Sequence, residues 1–247
     1  VRWGNRISVE MNNCIVYNKS ENIEKATNKK QARQIWTENG VLCPKLINNS
    51  EDAVKALNFS GCIIARPITH AKGKNFIVLK TINEFNNFVE KNGYVKWYYS
   101  EFIDKVREYR VHVGHGKILN YLEKPRPEEG GIAWNRAVNG EAFENVKWND
   151  YNGAVCKIAI IAGESLDLDF YGADVIVDKN GEAYVLEINT SPTLASSEYS
   201  MERYAKYFDW LCKTNKRREH WEFKEFQKTS NYAWHDYHFE DREPNKL

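Results

Sequence analysis

Between Leu168 and Leu194, in LDFYGADVIVDKNGEAYVLEINTSPTL, apolar and polar positions follow the two-residue period of a strand. Ala173, Val175 and Val177 alternate with Asp174, Ile176 and Asp178. Asp178-Lys179-Asn180-Gly181 supplies turn residues, and Ala183 to Leu186 resumes an apolar run. The pattern predicts an antiparallel hairpin. Glu187 and Asn189 then share one face, and the partner strand brings the Asp174 region close to them. Two carboxylates and a carboxamide oxygen are hard ligands that suit magnesium, and magnesium commonly arrives with substrate phosphates.

Upstream, Glu24, Ala26, Lys29, Ala32, Arg33, Ile35 and Trp36 predict one amphipathic helix over 21–39, stopped by Gly40 and followed by Pro44. Cys14–Tyr17 reads as a short strand. A helix capped by Asn49 or Ser50 runs to Leu57, and a buried strand follows from Gly61 to Pro67. After a Gly/Lys loop at 69–75, Phe76–Leu79 is the return strand. Ile82–Lys91 is helical with Gly93 beyond its end, and Trp97–Ile103 is extended. In 107–113, Glu108, Arg110 and His112 fall on one face and Tyr109, Val111 and Val113 on the other. Gly114–Gly116 turns into a return strand at 117–119. Leu122–Asn139, rich in Pro, Gly and basic residues, reads as a long loop, and Asp150–Ile161 runs into a helix. Met201, Tyr204, Tyr207, Phe208 and Leu211 give a one-sided helical stripe within 197–212. A mixed-charge helix is expected over 213–228, with Tyr232, Trp234, Tyr237 and Phe239 beyond it.

Composition narrows the classes. The 247 residues carry 35 Lys plus Arg against 34 Asp plus Glu, a balance that argues against coating nucleic acid. Five scattered cysteines without a CxxC pair read as thiols in a reducing, cytoplasmic setting rather than a zinc site or disulfide frame. No apolar run is long enough to span a bilayer, and no signal peptide opens the chain. Its start, Val1-Arg2-Trp3-Gly4-Asn5, reads as a truncated or processed one. In the 69–75 loop, Gly73 lets backbone approach an anion and Lys72 and Lys74 add charge, though the GxxxxGK[ST] order is absent.

These motifs, in this order, resemble the ATP-grasp superfamily over residues 20–212. They are most similar to its amino-acid and peptide ligase branch and to ATP-grasp proteins encoded by bacteriophages. Asp174 with Glu187-x-Asn189, then Ser191-Pro192, matches the metal signature. Where many relatives have glycine after the proline, Thr193 stands here, a departure on the acceptor side of the site. The resemblance implies an α+β fold of two lobes clamping ATP. The remnant of a preceding α/β domain would occupy 1–23, the first lobe 24–103, the second lobe 104–212, and an aromatic helical extension 213–247. Asp174, Glu187 and Asn189 would hold two magnesium ions. Lys29 would contact the phosphate or adenine side. Arg66, in place of the usual strand lysine, would reach the phosphates with Lys72, Gly73 and Lys74. Glu101, Phe102 and Ile103 would hold the purine, and Glu108 would also lie at the nucleotide. Arg110 would contact phosphate and acyl phosphate, and Lys124 and Arg136 phosphate or acceptor, with Asn145 a weaker candidate.

The implied activity is ATP-dependent joining of a carboxylate, from a peptide, protein or amino acid, to an amine. A second subunit could complete the acceptor pocket. Two alternatives stand beside it: a nucleic-acid-binding or end-modifying module using Arg126, Arg136, Arg217 and Arg218, and a non-catalytic protein keeping an ATP-grasp shell.

Overall fold

In the computed structural model, residues 4–7, 15–68, 76–126, 144–146, 150–194 and 198–214 are described. Two antiparallel sheets carry the architecture. The first contains β1 (Leu46–Ile47), β2 (Ile63–Pro67), β3 (Ile77–Leu79) and β4 (Trp97–Glu101), in the order β1-β4-β2-β3. Helices α3 (Ser50–Ser60) and α4 (Ile82–Asn92) bury Ala53, Ala56 and Phe85 against Ile63, Leu79 and Tyr99. Both helices start where expected for a chemical reason. Asn49 accepts from the Asp52 amide, and Thr81 accepts from the Glu84 amide.

The second sheet has the order β7-β6-β5-β8-β9. Its strands are β5 (Lys105–Gly114), β6 (Lys117–Lys124), β7 (Glu144–Asn145), β8 (Phe170–Asp178) and β9 (Ala183–Asn189). The predicted hairpin is β8–β9. Asp178 closes it, its carboxylate accepting from the amides of Asn180 and Glu182, with Gly181 at φ +84°. One face is apolar: Tyr109, Val111 and Val113 join Tyr171, Ala173 and Val175. This face packs on α5 (Gly153–Glu164), through Val155, Cys156, Ala159 and Ala162. Tyr171 lies so close to α5 that a Cβ on Gly163 would stand 1.8 Å from its ring. The opposite face carries the polar residues of β5, β8 and β9. Over one end of the second sheet, α6 (Glu198–Thr214) packs Tyr204, Tyr207 and Leu211 with Leu119 and Phe170.

Several expectations need correction. The helix foreseen over 21–39 is two, α1 (Ser20–Thr27) and α2 (Lys29–Glu38). Asn28 takes an extended conformation between them and accepts from the Gln31 amide, so its capping chemistry wins over the continuous periodicity. Both helices share the second sheet's core through Ala26, Ala32 and Trp36, and the Trp36 indole donates to Ala162 O at 2.9 Å. Ile15–Tyr17 forms no strand. Instead Asn18, at φ +56°, donates to Phe170 O and accepts from the Asp169 and Phe170 amides, extending β8 with a side chain. Asp169, the residue before β8, accepts from the Asn18 amide at 2.7 Å and so tethers the N-terminal segment. The loop expected from Leu122 begins later, because pairing with β5 carries β6 to Lys124. β4 stops at Glu101, short of Ile103, where Glu101 N donates to Lys45 O and the chain turns away. Met201, expected in the apolar stripe, is exposed. The helix expected over 213–228 and the aromatic segment lie outside the described residues, apart from the end of α6.

Candidate functional site

The register of the second sheet aligns charged side chains on its polar face. Arg110 on β5 lies opposite Asp174 on β8, and Asp174 lies opposite Glu187 on β9. One pleat along, His112 is opposite Gly172, which is opposite Asn189. One pleat the other way, Glu108 has Lys124 on one side and Ile176 on the other. The first residue of α2 completes the row: Lys29 Nζ lies 2.5 Å from Glu187 Oε2. The charges run Lys29, Glu187, Asp174, Arg110, so each carboxylate has a cation beside it.

Arg110 grips Asp174 with two bonds, Nε to Oδ1 at 2.6 Å and Nη2 to Oδ2 at 2.7 Å. This bidentate fork is the strong form of the interaction. Asp174 raises the Arg110 guanidinium, which therefore stays charged. Burial pushes the Asp174 carboxyl upward against the pull of Arg110. Burial also acts to raise Glu187, but Lys29, Arg110 and Arg66 outweigh it and hold that carboxyl low. Glu108 accepts from Lys124 at 2.9 Å and is bonded to Lys105 on its own strand. Burial lowers Lys105, with Glu108 working against it.

Beside this row a narrow cleft opens between the two sheets. Ile64, Phe102 and Ile103 wall it on one side, Ile176 and Leu186 on the other. Arg33, Arg66, Glu101 and Lys105 also line it. Its free volume is about 40 Å³, room for a water or so rather than a ring system. A wider, shallow groove over β3 and α4, lined by Lys80, Glu84 and Phe88, holds none of the acids of the row.

A family model described as the RimK-like ATP-grasp domain matches residues 26–206. The chain belongs to that family. Solved ATP-grasp structures share its fold. The ATP-grasp ligase PsnB, complexed with a minimal precursor, aligns with a TM-score of 0.59 at 17% identity, over 78% of this chain and 64% of that one. D-alanine--D-alanine ligase from Bacillus anthracis aligns at 0.59 and 16%, over 79% and 69%. A RiPP-associated ATP-grasp ligase from Chryseobacterium gregarium, in complex with ADP and a leader and core peptide, aligns at 0.58 and 16%, over 82% and 64%. Among curated proteins, "Probable tubulin polyglutamylase ttll-9" of Caenorhabditis elegans is 21% identical over 136 residues, 49% of this chain and 32% of that protein. The chain therefore spans about a third of that relative. The α+β ATP-grasp fold expected from the motifs is the fold of this RimK-like chain.

The structure brings most of the foreseen residues to one place. Arg110, Asp174, Glu187 and Lys29 form the row, Asn189 lies one pleat away, and Glu108 and Lys124 pair beside it. Arg66, Glu101, Phe102 and Ile103 line the cleft. Glu101 Oε1 accepts from the Lys45 amide at 3.0 Å, which ties β4 to the segment before β1. Lys72, Gly73, Lys74 and Arg136 lie outside the described residues, as does the side chain of Asn145. Asp174, Glu187 and Asn189 offer oxygen donors of the kind a magnesium ion takes, so the donor set fits that ion. Each of the three is also engaged within the protein, to Arg110, to Lys29 and to the Ser191 amide at 3.0 Å. Sequence reasoning did not single out Arg33, Lys105, Ile176 or Leu186. Arg33 carried a signal: a cation inside the apolar stripe of its helix, four residues after Lys29 and on the same face.

Proposed function

We propose that this RimK-like ATP-grasp chain is an ATP-dependent carboxylate–amine ligase working through an acyl phosphate on a peptide or protein carboxylate. The observation that carries the reading is the Lys29–Glu187–Asp174–Arg110 row, set beside a cleft between two sheets whose lining mixes apolar and charged side chains. Ile176 follows Asp174 by two residues on β8, and Leu186 precedes Glu187 on β9. A base held between the apolar walls would thus direct its phosphates toward the acids and Arg110.

Magnesium held by Asp174, Glu187 and Asn189 would neutralise phosphate charge. The chain's own part is positioning. Arg110 and Arg66 hold the γ-phosphate in line with the attacking carboxylate. A carboxylate oxygen bonds to the γ-phosphorus while the bond to the ADP oxygen breaks. An amine nitrogen then bonds to the acyl carbon, phosphate leaves with the carbon–oxygen electron pair, and the amine's surplus proton passes to solvent. No protein nucleophile is needed. Burial raises the Cys43, Cys62 and Cys156 thiols, the last to about 12, so none of these three is a ready thiolate.

The printed names of the similar proteins support a peptide or protein substrate. PsnB is complexed with its precursor, the Chryseobacterium ligase with a leader and core peptide, and the nematode relative is named a tubulin polyglutamylase. The test is magnesium-dependent ADP release by the purified protein, with peptides and an amino-acid pool as acceptors and mass analysis of the products. The proposal expects loss of one water from the summed masses of two joined reactants, and loss of turnover in Asp174→Asn and Glu187→Gln. Full turnover in both variants would overturn it.

A further inference from the structure

Asp174 and Glu187 stand directly opposite each other on β8 and β9. Like charges that face each other across a strand pair repel. Both side chains are partly withdrawn from water, at 11% and 34% exposure. The protein answers each carboxylate with a cation of its own. Arg110 holds Asp174 through two bonds, and Lys29 holds Glu187 through one. Two cations against two carboxylates leave the row neutral. A divalent ion arriving alone would meet carboxylates already neutralised, with an ammonium and a guanidinium close by. Coulomb's law opposes its entry.

The two cations are not equivalent. Arg110 presents a planar fork, bonded at two atoms to the more enclosed carboxylate, from the middle strand of the sheet. Lys29 is a point charge on a flexible stem. It reaches in from another element and makes a single bond to the more exposed carboxylate. Its backbone is fixed, because Asn28 caps α2 by accepting from the Gln31 amide and so sets Lys29 as the first helical residue. Movement of one side chain is enough to bare Glu187. A nucleotide polyphosphate would supply that movement, since it brings negative charge and offers the ammonium other oxygens to hold.

Resting on the ligase reading of this site, we infer that Lys29 is a stand-in counter-ion: its ammonium takes the place of the divalent cation on Glu187, so that the nucleotide-free protein excludes the metal. Lys29 is thus a positioning residue that sets the order of loading, metal arriving with nucleotide rather than before it.

The experiment titrates nucleotide-free protein with manganese(II), a paramagnetic substitute for magnesium, and reads the free ion by electron paramagnetic resonance. It is run at about pH 8, where carboxylates are ionised. Repulsion between a single and a double charge at this range exceeds a factor of ten in a partly buried site, so Lys29→Met is expected to bind the ion at least about ten-fold more tightly than wild type. Lys29→Arg keeps the charge and is expected to bind as weakly as wild type. Adding Glu187→Gln to Lys29→Met is expected to abolish the gain. Should Lys29→Met fail to fold, Lys29→Gln removes the charge while keeping a polar side chain and carries the same comparison. Equal affinity in wild type and the uncharged variant, binding by neither included, would overturn the inference, as would a gain that survives Glu187→Gln. Thermal melts give a second reading: manganese(II) alone should raise the Tm of Lys29→Met and leave wild type unmoved, whereas manganese(II) with ADP should raise wild type. A wild type stabilised equally by the ion alone would overturn the inference and leave the ligase reading standing. A wild type that neither manganese(II) with ADP nor magnesium with ATP stabilises would remove both.

Discussion

The Arg110–Asp174 fork is the contact on which the site's geometry most depends, and its worth can be worked out. Replacing Arg110 by Met removes both donors and leaves the Asp174 carboxylate facing Glu187 with no cation of its own. The two side chains are 19% and 11% exposed, so water can replace little of what is lost. Removing one member of a buried ion pair costs about 3–5 kcal/mol. The lower end applies here, about 3 kcal/mol, because the row borders a cleft. For a chain of this size each 1 kcal/mol lowers Tm by roughly 2–4 °C, so Arg110→Met should melt about 6–12 °C below wild type. Asp174→Asn should cost less, since the amide oxygen still accepts one bond. Arg110→Met with Asp174→Asn removes both charges and should be more stable than the sum of the single losses, with a coupling of about 2–3 kcal/mol. Urea unfolding of the four proteins, without nucleotide or metal, measures each corner of the cycle. Additivity within about 0.5 kcal/mol would refute the reasoning, because it would mean the fork is no stronger than its separate halves.

Other consequences follow from the same structure. Magnesium with ATP at a hundred times its Kd should raise wild-type stability by about 2.7 kcal/mol, and thermal melts of Asp174→Asn and Glu187→Gln should lose most of that increment. Burial, with Arg110 nearby, pushes His112 down to about 3. The unfolded chain therefore binds a proton that the folded one refuses between pH ~6.5 and ~3, and stability should fall with acidification at up to about 1.4 kcal/mol per pH unit; this component should be missing from urea titrations of His112→Gln. Gly163→Ala places a methyl 1.8 Å from Cζ of Tyr171, whose hydroxyl is held by Ile160 O at 2.9 Å, and should cost about 3 kcal/mol in urea unfolding. Trp36→Phe removes the indole bond to the Ala162 carbonyl, which keeps the Ser165 hydroxyl as donor, and should cost about 0.5–1.5 kcal/mol by the same measurement.

The sequence by itself determined the elements whose cause is local. Two-residue alternation with Asp178 and Gly181 at the turn is enough to specify β8–β9, because a hairpin's register follows from its turn and its apolar face. Asn49 and Thr81 mark helix starts through caps that involve only near neighbours. The order of motifs singled out Asp174, Glu187, Asn189 and Arg110 as candidates, and strand periodicity put Glu187 and Asn189 on one face. Only the tertiary structure decided what those residues touch. Arg110 and Asp174 lie 64 positions apart, and Lys29 and Glu187 lie 158 apart, so strand pairing and helix packing had to bring them together. The docking of α1 and α2 on the second sheet and the reach of β6 to Lys124 were hidden for the same reason: each is settled by partners distant in the chain. The break at Asn28 is local, a cap on Gln31 that the continuous periodicity masked. Arg33 shows the division most clearly. Its place in an apolar stripe was visible in the sequence, but whether a cation there turns to solvent or is buried depends on what the fold packs over it.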